Sequence, residues 1–131
     1  MIHALVTALG TEQPGHRDAW RRRAEIMARF EDALATHGQI ESLPDFSAGI
    51  GVPERTLRVH CATFLGCGPI RYARLRRLNL ARLTLLKADP NATRVAEVAR
   101  SHGFSEPGRF AGAYRRLFGE VPLATLHRRP S

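Results

Sequence analysis

The sequence predicts an all-α fold: two helix-turn-helix subdomains joined by a long connecting helix and preceded by an amphipathic N-terminal helix. Three observations carry this. Apolar residues recur at steps of three and four in the long segments between Gly and Pro breaks. No segment alternates apolar and polar residues between turn dipeptides, as half-buried strands do. One stretch of the chain also occurs twice at a nearly constant offset.

The first helix is expected over 16–36, where Ala19, Trp20, Ala24, Met27, Phe30, Ala33 and Leu34 share a side and Arg and Glu take the rest. The repeat begins after it. Leu43, Phe46, Gly51, Val52 and Glu54 meet Val95, Val98, Gly103, Phe104 and Glu106 at an offset of about 52 positions. With one residue more in the second copy, Leu57, Cys61, Leu65, Gly66 and Pro69 then meet Phe110, Tyr114, Phe118, Gly119 and Pro122. Each copy reads as a short helix stopped by Gly51 or Gly103, a tight corner plugged by Val52 or Phe104, and a second helix closed by Gly. Between the copies, 70–87 reads as the connecting helix, with Tyr72, Leu75, Leu78, Leu83, Leu85 and Leu86 on its apolar row. Residues 1–41 are thus read as a linking segment and 42–131 as the working domain, divided into 42–69, 70–88 and 93–128.

Charge points to the partner. The 131 residues suit about one domain and carry 20 basic against 12 acidic side chains, net +8, with every cation except Lys87 an arginine. Residues 1–52 are net −2 and residues 53–131 net +10 by the same count. A polyanion is the expected partner of the second part, and the planar guanidinium suits phosphate and guanine alike. The composition, 44% hydrophobic and 24% charged, supports a packed core. Cys61 and Cys67 make no disulfide framework, and no apolar run is long enough to span a bilayer, so a cytoplasmic protein with no membrane partner is expected.

On the second helix of the first copy, an inward row of Leu57, Cys61 and Phe64 leaves Arg55, Thr56, Arg58 and Val59 outward, where recognition helices meet base edges. In the second copy Phe110, Tyr114 and Leu117 or Phe118 point inward and Pro107, Gly108, Arg109, Gly112, Arg115 and Arg116 lie around the rest. Arg109 is the candidate base contact there, and Arg115 and Arg116 the phosphate contacts.

Other chemistry finds weaker support. His60, Cys61, Cys67 and His102 are metal-ligand types, but their spacing fits no zinc finger. Neither cysteine has a His and acid placed to activate it, and no Gly-rich phosphate loop occurs. No catalytic residue, metal or cofactor is therefore expected. Trp20, Tyr72 and Tyr114 read as packing residues, and Arg21, Arg22 and Arg23, followed by Glu25, Glu31 and Asp32, as a solvated face.

The second copy carries Val98-Ala99, Gly103-Phe104, Phe110, Tyr114-Arg115, Phe118-Gly119 and Pro122. The first copy carries Val52, Arg55-Thr56-Leu57 and Gly66 with Pro69 and Tyr72, and the connecting segment adds Arg77-Leu78 and Ala81-Arg82. On these motifs the stretch from about Ser42 to Arg128 resembles the DNA-binding domain of AraC/XylS-type transcriptional regulators. The resemblance implies two lobes reading successive major-groove faces of asymmetric DNA, one chain sufficing, in a sequence-specific regulator. The alternative is a low-specificity architectural or RNA-binding protein. Cys61, Ser47 and Gly112 depart from the usual aromatic, Ala and longer polar residue, which implies looser packing in the first lobe and thinner readout in the second. The expected partner is double-stranded DNA. RNA polymerase, a missing N-terminal effector domain, and a homodimer through residues 1–41 remain open as further partners. The apolar stretch Ile2 to Leu9 is a candidate interaction segment, and the stripe on 16–36 either caps the first lobe or meets another chain. Truncation to residue 42 onwards is expected to leave the DNA footprint intact while changing oligomeric state or promoting aggregation.

Overall fold

In the computed structural model, which describes residues 14–128, the first element is a 24-residue helix, α1 (Pro14–His37), whose Phe30 and Leu34 are wholly buried. Ile2 to Leu9 lies outside the described residues. A turn at Gly38 leads to α2 (Leu43–Ile50). Ser42 caps it by accepting from the Asp45 backbone N–H, and Pro44 occupies the first turn, where its missing donor costs nothing. Gly51, at φ 71°, then turns the chain so that Val52 donates to Ser47 O at 3.0 Å and buries its side chain. Next come α3 (Glu54–Leu65), α4 (Pro69–Lys87), α5 (Val95–Ser101), α6 (Pro107–Phe118) and α7 (Pro122–Leu126). No strand occurs among the described residues.

The two copies are both present as helix-turn-helix units. Their first helices start 52 positions apart, at Leu43 and Val95, and their second helices 53 apart, at Glu54 and Pro107, so the extra residue sits in the second corner. Helix α4 begins at Pro69, one residue before the expected start. The five residues of α7 amount to little more than one turn, too short to show a period in sequence.

Two cores result. Phe30, Leu34, Leu43, Val52, Leu57, Cys61 and Ala73 form the first, and Leu78, Ala81, Leu85, Val98, Ala99, Phe104, Phe110, Ala113, Tyr114 and Leu126 the second. The broad helix contacts all fall within a lobe or onto α4. This redraws the apolar row expected on α4: Leu78 and Leu85 are buried as expected, but Leu83 and Leu86 face solvent, and Ala73 and Ala81 are buried in their place. A helix serving two cores in succession has no single stripe. At about 100° per residue, Ala73 and Leu78 point roughly 140° apart, one towards each lobe.

Of the two roles open to the stripe on α1, capping the first lobe is what the packing provides. Phe30 meets Phe46 and Tyr72 with ring centroids at 5.9 and 5.8 Å, and Trp20 meets Phe64 edge-on at 5.5 Å. Tyr72 donates to Glu31 at 2.6 Å, a bond that helps push its phenol up to about 12. Phe64, expected on the inward row of α3, is half-buried and turned to Trp20. The departures at Ser47 and Cys61 do not open the first lobe. Ser47 is buried with its hydroxyl donating to Leu43 O at 2.9 Å, and Cys61 is sealed, its thiol pushed up to about 11 chiefly by burial.

Candidate nucleic-acid interface

The second helix of each unit presents the face the sequence assigned to it. Leu57 and Cys61 anchor α3 with no exposure, which turns Arg55, Arg58 and Val59 to solvent and leaves Thr56 half-buried. Val59, 55% exposed, is a branched apolar side chain open to solvent, the type that meets a thymine methyl. Phe110, Ala113 and Tyr114 anchor α6 and leave Pro107, Gly108, Arg109, Arg115 and Arg116 exposed, with Gly112 half-buried. Leu117 is also largely exposed, so Phe118, which packs against the core and on the Tyr114 ring at 4.6 Å, completes the inward row.

The two faces share an electrostatic device. Glu54 accepts from Arg58 at 2.8 Å, and Glu106, its counterpart in the repeat, pairs with Arg109 at 2.9 Å. Both pairs are open to water and contribute little stability, on the order of 0–1 kcal/mol. Their effect is on aim: each carboxylate holds one guanidinium over the first turns of its helix, where it can exchange a weak partner for a better one.

At Gly112 a Cβ would come no closer than 3.7 Å to Arg116 Nη1, an ordinary contact, so this helical position would accept a side chain. His60, one turn beyond Thr56, donates from Nδ1 to Thr56 O at 2.8 Å. Cys67 is half-buried, and among the described residues no cluster of three or more His, Cys, Asp or Glu is placed to hold a metal ion. No described helix is long and apolar enough to cross a membrane.

The arginines of α4 divide by face, which the sequence did not resolve. Arg77 donates to Gly103 O at 3.1 Å with its guanidinium 4.7 Å from the Phe104 ring centroid, and Arg82 lies over Phe118 at 5.3 Å. Arg76 reaches Leu34 O at 3.5 Å. Arg71 and Arg74 stay exposed.

Paired helix-turn-helix lobes on one helix, each with a basic exposed second helix, define a nucleic-acid-binding module. A family described as a helix-turn-helix domain matches residues 46–128. The chain is 37% identical over 100 residues to a probable thc operon regulatory protein of Rhodococcus erythropolis, covering 76% of this chain and 30% of that one. It is 44% identical over 104 residues to a XylDLEGF operon transcriptional activator of Pseudomonas putida, covering 79% and 30%. The chain thus spans about a third of the length of these relatives. Among solved structures, an AraC-type regulator of Chromobacterium violaceum matches with a TM-score of 0.66 at 26% identity, covering 79% of this chain and 93% of that one. A probable AraC family regulator of Rhodopseudomonas palustris matches with 0.66 at 32%, covering 80% and 97%. The chain belongs to the AraC-type helix-turn-helix family and comprises its DNA-binding domain.

Proposed function

We propose that this domain serves a transcription regulator by seating α3 and α6 in successive major grooves of one duplex, reading sequence chiefly through Arg55, Arg58 and Val59 of the first lobe and Arg109 of the second. Thr56 flanks the first set. In the second, Pro107, Gly108 and Gly112 keep the approach to the bases shallow, and Arg115 and Arg116 take phosphate. Residues 42–128 make these contacts, and the net-negative N-terminal part does not. The observation that carries the reading is the repeated Glu–Arg pair, Glu54 with Arg58 and Glu106 with Arg109, at the start of both exposed helices. A purely architectural binder has no use for a carboxylate beside each phosphate-facing cation, since it weakens binding to every sequence alike. RNA polymerase is the further protein partner we propose, because relatives are named as transcriptional activators, and an effector-binding domain is proposed because those relatives extend well beyond the 30% of their length that matches.

The test is selection of duplex DNA from a random library at stated salt, followed by footprinting. The expected product is a site of about two helical turns, with two protected major-groove segments. In that site Arg58→Ala relaxes preference at one or two positions of one half, by about 1–3 kcal/mol for a bidentate guanine contact. Arg116→Ala weakens all sequences alike. No enrichment over bulk DNA would exclude sequence-specific recognition.

A further inference from the structure

We propose that the trough between α4 and the flank of α6 is a phosphate track, in which Arg71, Arg74 and Arg116 grip the DNA backbone beside the second recognition helix. The inference rests on the DNA-binding reading above and extends the contact surface to the connecting helix.

Two clefts make the trough. One, of about 390 Å³, is lined by Arg71, Arg74 and Arg116 over an apolar floor that includes Leu75, Leu78 and Ala113. The next, of about 360 Å³, holds Arg74 again, with Arg77, Glu106 and Arg109. Arg74 is the joint between them. No carboxylate lies among the described residues lining the first cleft, and the single one in the second, Glu106, is taken by Arg109. Arg77 is committed to Gly103 O and the Phe104 ring. Arg71, Arg74 and Arg116 therefore stand exposed without an acidic partner among the described residues. Arg74 also crowds Arg77: its charge, second to burial, presses the Arg77 guanidinium below its ordinary range. An anion in the trough relieves this repulsion, and the apolar floor strengthens its attraction by keeping the local dielectric low.

The occupant follows from dimensions. A helix with its side chains is about 10–12 Å across, and the major groove about 12 Å wide. A recognition helix therefore fills the groove, and the phosphate walls lie against its flanks. The trough is such a flank: Arg116 belongs to α6 itself, and Arg71 and Arg74 face it from α4. The guanidinium fork matches the phosphate oxygens bidentately.

The experiment uses the full chain with R71Q, R74Q and the double variant; Gln shortens the stem but keeps it polar, and circular dichroism melting establishes that each folds. Binding to the library-selected duplex is measured against salt. The expected result is a salt slope lower by about 0.9 for each phosphate that is no longer neutralised, with the ranking of base preferences unchanged. Neutral methylphosphonates placed one at a time along the site should weaken the wild-type chain at one or two positions beside the second half-site, and no longer weaken the double variant there. A selected and footprinted site whose salt slope and methylphosphonate pattern are the same for wild type and double variant overturns the phosphate track and leaves the DNA-binding reading standing. A wild-type chain that selects no site overturns both.

Discussion

His102 shows how one side chain makes this fold sensitive to pH. Its ring meets Thr84 Oγ1 at 2.9 Å, and burial holds its pKa below the ordinary 6.5. The unfolded chain therefore takes up the proton first as pH falls, so the contribution of a neutral His102 is present above about pH 6.5 and is lost progressively below it. Thermal melts between pH 8 and 5 should show this loss, and His102→Gln, which keeps a partner for Thr84, should flatten it; an unchanged pH profile in that variant would remove His102 as the cause. One residue along, Gly103 adopts φ +85°, and a Cβ there would stand 2.9 Å from Gln39 Oε1 and 3.1 Å from Arg77 Nη1. Gly103→Ala is expected to lose about 1–2 kcal/mol from backbone strain alone, and more through displacing Arg77. Gly49 is the control: it lies inside α2, where an added methyl would have nothing within 4 Å, so Gly49→Ala should gain roughly 0.5–1 kcal/mol. Urea titration of both variants reads the contrast directly, and equal effects would contradict it.

Among the elements, α4 is where sequence and structure part company. The helix-turn-helix units are legible because Gly51 and Gly103 repeat in register and Leu57, Cys61, Phe110 and Tyr114 keep one helical face. The row on α4 is not, since Leu-rich spacing marks an apolar helix without saying that Ala73 serves one core and Leu78, Ala81 and Leu85 another. For the same reason the arginines of that helix are unassignable from sequence: Arg71, Arg74 and Arg77 differ in role only once α6 and the Gly103 corner are placed beside them. Nor does the sequence announce Gln39, which reaches that corner from the turn after α1. The outward residues of α3 and α6 are readable because they are the complement of a buried row. Arg77 yields a prediction at this scale. Through Gly103 O and Phe104 it ties α4 to the second corner, so Arg77→Met should keep affinity for each half-site but blunt discrimination against sites with one added base pair between the halves. Competition binding with spacer variants measures this, and undiminished discrimination in a folded variant would refute it.

For the whole molecule, the packing of α1 bears on truncation to residue 42. That truncation removes Phe30 and Leu34, both wholly buried in the first core. Deleting a buried aromatic side chain alone costs about 3–5 kcal/mol, against a total of about 5–15 kcal/mol for a typical domain. The truncated chain should lose helical signal in the first lobe and protect only the second half-site; a complete two-part footprint would show that α1 is dispensable after all. The same packing has a thermodynamic corollary. Trp20 rests on Phe64 of α3, and Glu31 holds Tyr72 of α4, so the seat of α1 and the posture of the first recognition helix are two readings of one equilibrium. Linkage is reciprocal: if seating α1 raises affinity for an operator by some factor, then occupancy of the operator tightens α1 in its seat by the same factor. Where that factor exceeds one, a chain already on its site is harder to unlatch than one free in solution.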